Sequence, residues 1–298
     1  MIQLLEYLSL PVTLLGIFAI NAMSLQLILG GAGLLSLGHA AYFAVGGYSS
    51  AAFVVYAAPA LGIADPMLLM LSGLTVGFLT SALAGILVAI PCLRLSGDYL
   101  AMATLGFSEI VSTILKNIES LGGTRGFKDI PRLSSPLFVW AGVILVAWFL
   151  TRFYKSHWGV AIKATRDDEI AARSIGISTR YAKVVAFTLG TAIAGLAGSF
   201  FAHTLEFISP ESASFQQSVE ILLAVVIGGM FSLRGSVLGA VILVLLPEAL
   251  RFAPPLVSQN RMLIFSAVVI IIMLFNPKGL SAVFEKLLMR RNVVRQNA

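Results

Sequence analysis

Charge is scarce in this chain. Its 298 residues hold 20 Lys and Arg and 14 Asp and Glu, so charged side chains make up 11% of the total, where a soluble domain carries about 25%. That is too little polar surface to clothe a soluble globule. Cysteine is rarer still: Cys92 stands alone, which excludes an intrachain disulfide and a cysteine-based metal centre. The histidines are His39, His157 and His203, too far apart to supply a ligand spacing. There is no G-x-x-x-x-G-K-[ST] to cradle nucleotide phosphates, no H-E-x-x-H and no G-x-S-x-G. Any ATP used must therefore be hydrolysed on another chain. A rhomboid-like protease would need Ser36 or Ser232 paired with His203, and nothing marks either serine as activated. The first ten residues hold Glu6 and neither Lys nor Arg, the wrong flank for a cleavable secretory signal. The first apolar helix is therefore expected to stay.

What is abundant is apolar. Hydrophobic residues reach 58%, and runs near the roughly 20 residues that cross a bilayer recur throughout. Nine segments stand out, at about 9–30, 39–58, 67–92, 98–116, 136–151, 182–204, 217–231, 235–252 and 262–276. They leave no room for a soluble domain of roughly 50 residues, so 1–298 reads as one transmembrane domain. Small residues recur at four-residue spacing, as in Gly77, Ser81 and Gly85 or Gly190, Ala194 and Gly198, and let membrane helices approach closely. A transmembrane barrel would need alternating segments of about 9 to 11 residues. The expected fold is all-α, a polytopic transmembrane bundle of about 8 to 10 helices, the count depending on whether 30–40 or 98–116 is re-entrant.

The net charge of +6 reads as topology rather than as a nucleic-acid surface. Lys and Arg concentrate in 152–183 and in the tail from Lys278, with Lys286, Arg290, Arg291 and Arg295. Both belong in the cytoplasm by the positive-inside rule. The segments 58–66 and 205–215 hold Asp65, Glu206 and Glu211 without Lys or Arg, which suits the outer face and an outward N-terminus. Alternation then also puts 117–135 outside, despite Arg125, Lys128 and Arg132. An internal echo links Gly30-Gly31 and Ser36-Leu37-Gly38 to Gly228-Gly229 and Ser232-Leu233-Arg234-Gly235. Transporters are often built from such halves, although two Gly- and Ser-rich membrane segments also resemble one another by chance.

The loop at about 155–181 is the most informative polar stretch. Asp167, Asp168 and Glu169 suit a helix N-terminus, Ile170, Ala171 and Ala172 suit a helix, Arg173 falls in its last turn, and Gly176 can end it. Such a short exposed helix is either a partner-docking element or a solvated linker. Asp168-Glu169-Ile-Ala171-Ala172 followed by Gly176 resembles the E-A-A-x-x-x-G signature of ABC importer permeases, displaced by one at the glutamate. Leu35 to Gly46, Ser96 to Ala101, Thr104 to Ile110 and Ala194 to Gly198 further resemble, in order, the LivM-type permeases of branched-chain amino acid ABC transporters. The resemblance spans roughly 30–280. The family's small polar turn after Gly122-Gly123 is here Thr124-Arg125-Gly126, more basic than expected.

That resemblance implies a subunit without catalysis of its own, in a bacterial inner membrane. Its partners would be lipid, a second homologous permease, two cytoplasmic ATPase subunits that bind ATP and Mg, and an extracytoplasmic amino-acid-binding protein. No cofactor, metal or nucleic acid would bind this chain. Asp167, Asp168, Glu169, Ala171, Ala172 and Gly176 would couple it to an ATPase. The substrate would be a branched-chain or related amino acid, favoured by Asp98-Tyr99 and the Thr104 to Glu109 motif. Permeases of the same superfamily for urea, amides, sugars or nucleosides are the alternative, and an ion-driven secondary transporter is the alternative from another class.

Pathway candidates come from polarity inside apolar runs. Thr104, Ser108, Glu109, Ser112, Thr113 and Lys116 project over about half of one helix at 100° per residue. Glu109 stands out, because an ionisable group at the centre of a membrane helix costs roughly 3 kcal/mol. It either lines the pathway or hydrogen-bonds a neighbouring helix. Ser36, Gly38 and His39 mark a break that is either a substrate-facing gate or a tight turn with His39 at the cytoplasmic interface. His203 reads as a satisfied interface histidine.

Overall fold

In lipid the backbone of an apolar segment has no partner but itself, and each of the nine segments is helical over most of its length. The computed structural model describes residues 2–95, 97–251, 254, 258–275 and 279–281, with side chains from residue 9. The basic tail expected at 278–298 and Ser96 of the Ser96 to Ala101 motif fall outside the described residues, apart from 279–281. In chain order the helices are α1 (Ile2–Gln26), continued by a π turn at Leu27–Gly31; α2 (His39–Ala52), continued by a π turn at Phe53–Ala57 into α3 (Ala58–Ala60); α4 (Pro66–Cys92); α5 (Asp98–Asn117); and α6 (Pro136–Phe153). There follow α7 (His157–Asp167), α8 (Glu169–Ser174), α9 (Thr179–Leu205), α10 (Phe215–Gly228), α11 (Leu233–Arg251) and α12 (Arg261–Phe275). Starts are set by side-chain caps: Asp65 accepts from the Met67 amide, Ser135 from Phe138 and Ser214 from Gln217. Among the described residues the only extended pairing outside helices is a single antiparallel bridge, Phe127 with Ile208.

Three helices form the centre, and small residues are the reason they can. A Cβ on Gly46 of α2 would overlap the backbone of Gly195 on α9, and one on Gly77 of α4 would overlap Ser199 of α9. Ser81 of α4 donates to the Tyr42 carbonyl of α2 at 2.8 Å. Matching Gly46 with Gly195, Gly47 with Gly198 and Ser50 with His203 runs α2 parallel to α9. Matching Gly73, Gly77 and Gly85 with His203, Ser199 and Thr191 runs α4 antiparallel to both. Around this trio α1 packs between α9, α6 and α11, sharing a core of Ile17, Ile20, Met23, Val139, Val143 and Phe200.

Directions follow from these contacts. One end of the bundle gathers 92–95, the loop 154–178 and the 229–232 turn, since Arg166 donates to the Gly30 carbonyl and lies over the Phe231 ring, and Arg180 donates to the Ile90 carbonyl. The opposite end gathers 61–65, 118–135 and 206–214. The weakly basic 117–135 segment joins Glu206 there, through the Phe127–Ile208 bridge and an ion pair between Arg132 and Glu206 at 3.9 Å. Both ends are therefore grouped as loop alternation requires.

Length and apolarity alone support fewer spans than the 8 to 10 expected. Among the described residues six helices are long and apolar enough to cross a membrane: Ser9–Gly31, His39–Ala60, Pro66–Cys92, Pro136–Phe153, Thr179–Leu205 and Leu233–Arg251. Helix α10, with 14 residues, reaches only about 21 Å, and the described part of α12, with 15 residues, about 23 Å, against a hydrocarbon core of about 30 Å. Helix α5 has 20 residues but carries Asp98, Glu109 and Lys116. The expectation of 8 to 10 spans thus counted three segments that do not qualify on length and apolarity alone. The chain is a multi-pass membrane protein.

Candidate functional site

Two places concentrate the polar residues singled out above. The first is a break inside the bundle. After α1 the chain turns back at Gly33 (φ +70°) and runs without helix to Gly38, and α2 starts at His39. His39 is fully buried, its Nε2 lying 2.7 Å from the Ser24 hydroxyl of α1. Ser24 precedes the end of the π turn by seven residues, about 10 Å along the axis. His39 thus sits within the bundle, which corrects the reading of an interfacial turn: the 32–38 segment dips inward instead of closing at the surface.

The break is held by hydroxyls. Leu37 donates its amide to Thr104 Oγ1 of α5 at 3.1 Å, and Ala40 donates to Ser218 Oγ of α10 at 3.1 Å. Gly38 lies against the Thr104 carbonyl so closely that any Cβ would overlap it. Ser108 donates to the Ala213 carbonyl at 2.5 Å, and Ser112 to that of Pro210 at 3.4 Å, so the 210–213 turn also enters the bundle. Ser24 also donates to the Asn21 carbonyl at 2.6 Å, and the second ring nitrogen of His39, Nδ1, takes no part in this contact. That Nδ1, Ser36 Oγ and the Tyr42 hydroxyl are buried without a partner. Buried polar atoms in this state are uncommon and mark places where water or a ligand is accommodated. His203 differs, with Nδ1 at 3.1 Å from the Pro131 carbonyl and Nε2 at 3.1 Å from Ser50 Oγ, a satisfied pair as expected.

Helix α5 divides the candidates. Thr104, Ser108 and Ser112, four residues apart, turn inward and are buried, while Glu109, Thr113 and Lys116 are exposed on the outer face. Glu109 makes no hydrogen bond to a neighbouring helix among the described residues. Asp98 opens α5 at the basic end, exposed, about 17 Å along the axis from Glu109. The structure therefore joins Ser36, Gly38, His39, Thr104 and Ser108 in one neighbourhood and leaves Asp98 and Glu109 outside it. Ser24 and Ser218 belong to it and were not singled out, because a lone serine in an apolar helix carries no signal until its partner is known.

The second place is the polar loop. Asp167 closes α7 and pairs with Arg166 at 2.6 Å, so it belongs to the helix before the one expected. Asp168 is the N-cap of α8, accepting from the Ile170 and Ala171 amides at 2.9 and 3.0 Å. Glu169 bridges Arg173 at 2.6 Å and Lys183 of α9 at 2.7 Å. The Lys183 hydrogen bond, helped by Arg173, holds its carboxyl down at about 2 against some desolvation. Ala172 is buried, Ala171 is exposed, and Gly176 at φ +86° ends the turn in the left-handed region. Ile170 and Ile175 are 81% and 76% exposed. These two apolar side chains, flanked by charge, are turned to the outside, and a reading centred on acidic residues passes over them.

Comparison with known proteins bears on both places. A family model described as "Branched-chain amino acid transport system / permease component" matches residues 8–274. The high-affinity branched-chain amino acid transport system permease protein LivM of Escherichia coli K12 is 34% identical over 90% of this chain and 68% of its own length. LivM of Salmonella typhimurium LT2 matches with the same figures. The autoinducer 2 import system permease protein LsrC of Escherichia coli K12 DH10B is 30% identical over 58% of this chain and 50% of its own. No solved structure matches.

Proposed function

From its membership of the family of branched-chain amino acid transport system permease components, we propose that this chain forms, with a second homologous permease, the pathway of an ABC importer for branched-chain or related amino acids. The importer sits in a bacterial inner membrane, with the basic end of the bundle in the cytoplasm. An extracytoplasmic amino-acid-binding protein delivers the substrate at the opposite end, and two ATPase subunits bind and hydrolyse ATP with Mg. This chain does no covalent chemistry.

One observation carries the reading: Glu109 is exposed about halfway along α5. Left against hydrocarbon it would cost roughly 3 kcal/mol, so that face meets water or protein, and a pathway shared with a second permease supplies both. Substrate would pass along the outer face of α5, with Glu109, Thr113 and Lys116 toward it. Ser36, Gly38, His39, Thr104 and Ser108 stand behind as the packing that lets α5 and α2 shift together. At the cytoplasmic end Ile170 and Ala171 of α8, with Ile175 just after it, enter a cleft of one ATPase, and Glu169 ties α8 to Lys183 of α9. Displacement of α8 on ATP closure thereby reaches the rigid α2–α4–α9 trio as a body. The match to LsrC, limited to half of that protein, makes a small polar solute the second reading. Family membership gives an ion-driven mechanism no support.

The test is co-purification from native membranes in mild detergent with mass spectrometry, followed by uptake of labelled leucine, urea and ribose. A homologous permease, ATPase subunits and leucine uptake are expected. Recovery of the chain alone, under conditions that keep other ABC complexes whole, overturns the proposal. Uptake of ribose or urea in place of leucine moves the substrate to the alternative class.

A further inference from the structure

The basic end holds a pocket that the transport reading does not use. It opens where the last turn of α1, the end of α6, α7 and the turn before α11 converge, with a volume of about 460 Å³. Lys155, Lys163, Arg166 and Arg234 line it, and no Asp or Glu does so among the described residues. Arg166 is fixed and largely neutralised, donating to the Gly30 carbonyl at 2.6 Å and to Asp167 Oδ1 at 2.9 and 2.6 Å. The other three are not. Lys163 Nζ lies 4.8 Å over the Tyr154 ring, and Lys155 and Arg234 are exposed and form no ion pair among the described residues. The wall is built rather than incidental: the Tyr154 hydroxyl donates to Gln26 Oε1 at 2.9 Å, and Gln26 Nε2 donates to the Met230 carbonyl at 3.3 Å.

Three unpaired cations facing one cavity repel one another unless an anion joins them. We propose that this pocket binds the phosphate of an anionic phospholipid. Size and setting favour a lipid over a free anion. The volume falls within the 300–1,000 Å³ range of ligand pockets, more than inorganic phosphate fills. Thr151 of α6 lines the pocket, and one turn before it the outer face of α6 exposes Trp148, with Ile144 and Leu145 beyond. In a multi-pass protein that face lies against acyl chains, and tryptophan is at home at headgroup depth. The phosphodiester then meets Lys155, Lys163 and Arg234 while its acyl chains lie along α6. A bound headgroup would tie α7, which leads into α8, to the ends of α6 and α11, and basic pockets between membrane helices on the cytoplasmic side take such headgroups.

The test is native mass spectrometry of the full chain in detergent, titrated with palmitoyl-oleoyl phosphatidylglycerol or the matching phosphatidylcholine, with and without 10 mM inorganic phosphate. Phosphatidylglycerol is expected to bind about tenfold more tightly or better, as charge-assisted phosphate contacts predict. The triple variant Lys155→Gln, Lys163→Gln, Arg234→Gln is expected to lose most of that preference. Lys155→Arg, Lys163→Arg, Arg234→Lys is expected to keep it, which separates charge from misfolding. Equal binding of the two lipids by the natural chain, or an undiminished preference in the Gln variant, overturns the proposal. Displacement of phosphatidylglycerol by inorganic phosphate makes the pocket a free-anion site and overturns the lipid assignment. A Gln variant that keeps its lipid preference but loses co-purifying ATPase subunits gives the pocket to an acidic protein surface, which also overturns it.

Discussion

The α2–α4–α9 trio and the α7–α8 loop are connected through α9, yet opposite forces hold them. In the trio, glycines let the helices close: Gly46 lies against the Gly195 backbone, and Gly77 and Gly85 lie against the side chains of Ser199 and Thr191. In the loop, α8 rests on two ion pairs of Glu169 and a single buried alanine, with two isoleucines turned outward. Close packing without voids is stiff and fails abruptly when a methylene is added. Charge pairs at a half-exposed site contribute little each and re-form easily. A part that must transmit motion suits the first construction, and a part that must engage and release suits the second.

Breaking the trio should have the largest effect. Gly46→Ala puts a Cβ into the Gly195 backbone, which cannot rotate aside, and overpacking of this kind costs about 1–3 kcal/mol. The thermal midpoint in detergent should fall by several degrees. Gly106→Ala, with nothing within 4 Å of its Cβ, should leave it unchanged, and equal midpoints for the two variants would show that the trio is looser than the contacts imply.

Next is the loop's contact face. Ile170→Asp should cut leucine uptake about tenfold or more, the scale of a docking hot spot, while the thermal midpoint holds. Glu169→Arg sets a third positive charge beside Lys183 and Arg173, and should let ATP hydrolysis run without transport in the reconstituted complex. Full uptake in either variant removes α8 from coupling.

A smaller loss is expected at Glu109→Gln, which keeps size and polarity but removes charge from the outer face of α5. Uptake should drop severalfold with assembly intact, and full-rate transport would take Glu109 out of the pathway. The smallest effect concerns pH. Because the Glu169 carboxyl lies at about 2, below its unfolded value near 4.3, the contribution of its ion pairs is complete above about pH 5 and disappears as pH falls toward 2. A spin label at Ile175→Cys in a Cys92→Ser background should keep one mobility from pH 8 to 5 and loosen only below that. Loosening between pH 7 and 6 would contradict the Lys183 pairing.

Much of this was legible in the sequence because the cues are local. Gly77, Ser81 and Gly85 announced a close-packed face at four-residue spacing, and Asp168 with Gly176 bounded a short helix by cap and left-handed turn. What stayed hidden depends on pairings distant in the chain. The polar band of α5 looked continuous, and only the partners of Ser108 and Ser112 at 210–213 decide that it divides into an inner and an outer row. His39 could be read as a gate or as an interfacial turn because it follows Ser36-Leu37-Gly38, and its depth is set by Ser24, fifteen residues earlier. Helix α10 read as a span because hydropathy registers apolarity before it registers length.

The hydrogen bond from the Ala40 amide to Ser218 has a bearing on how the chain is made. Its partners are 178 residues apart. Synthesis at roughly 5–20 residues per second leaves that amide without its final acceptor for about 9 to 36 s after it emerges. Through that interval the start of α2 stands open inside a half-built protein, and water, lipid headgroups or the insertion machinery must serve it. Burial of this break is therefore among the last events of biogenesis. A ribosome-arrested chain ending before residue 218 should display a hydrated α2 start that the finished protein conceals.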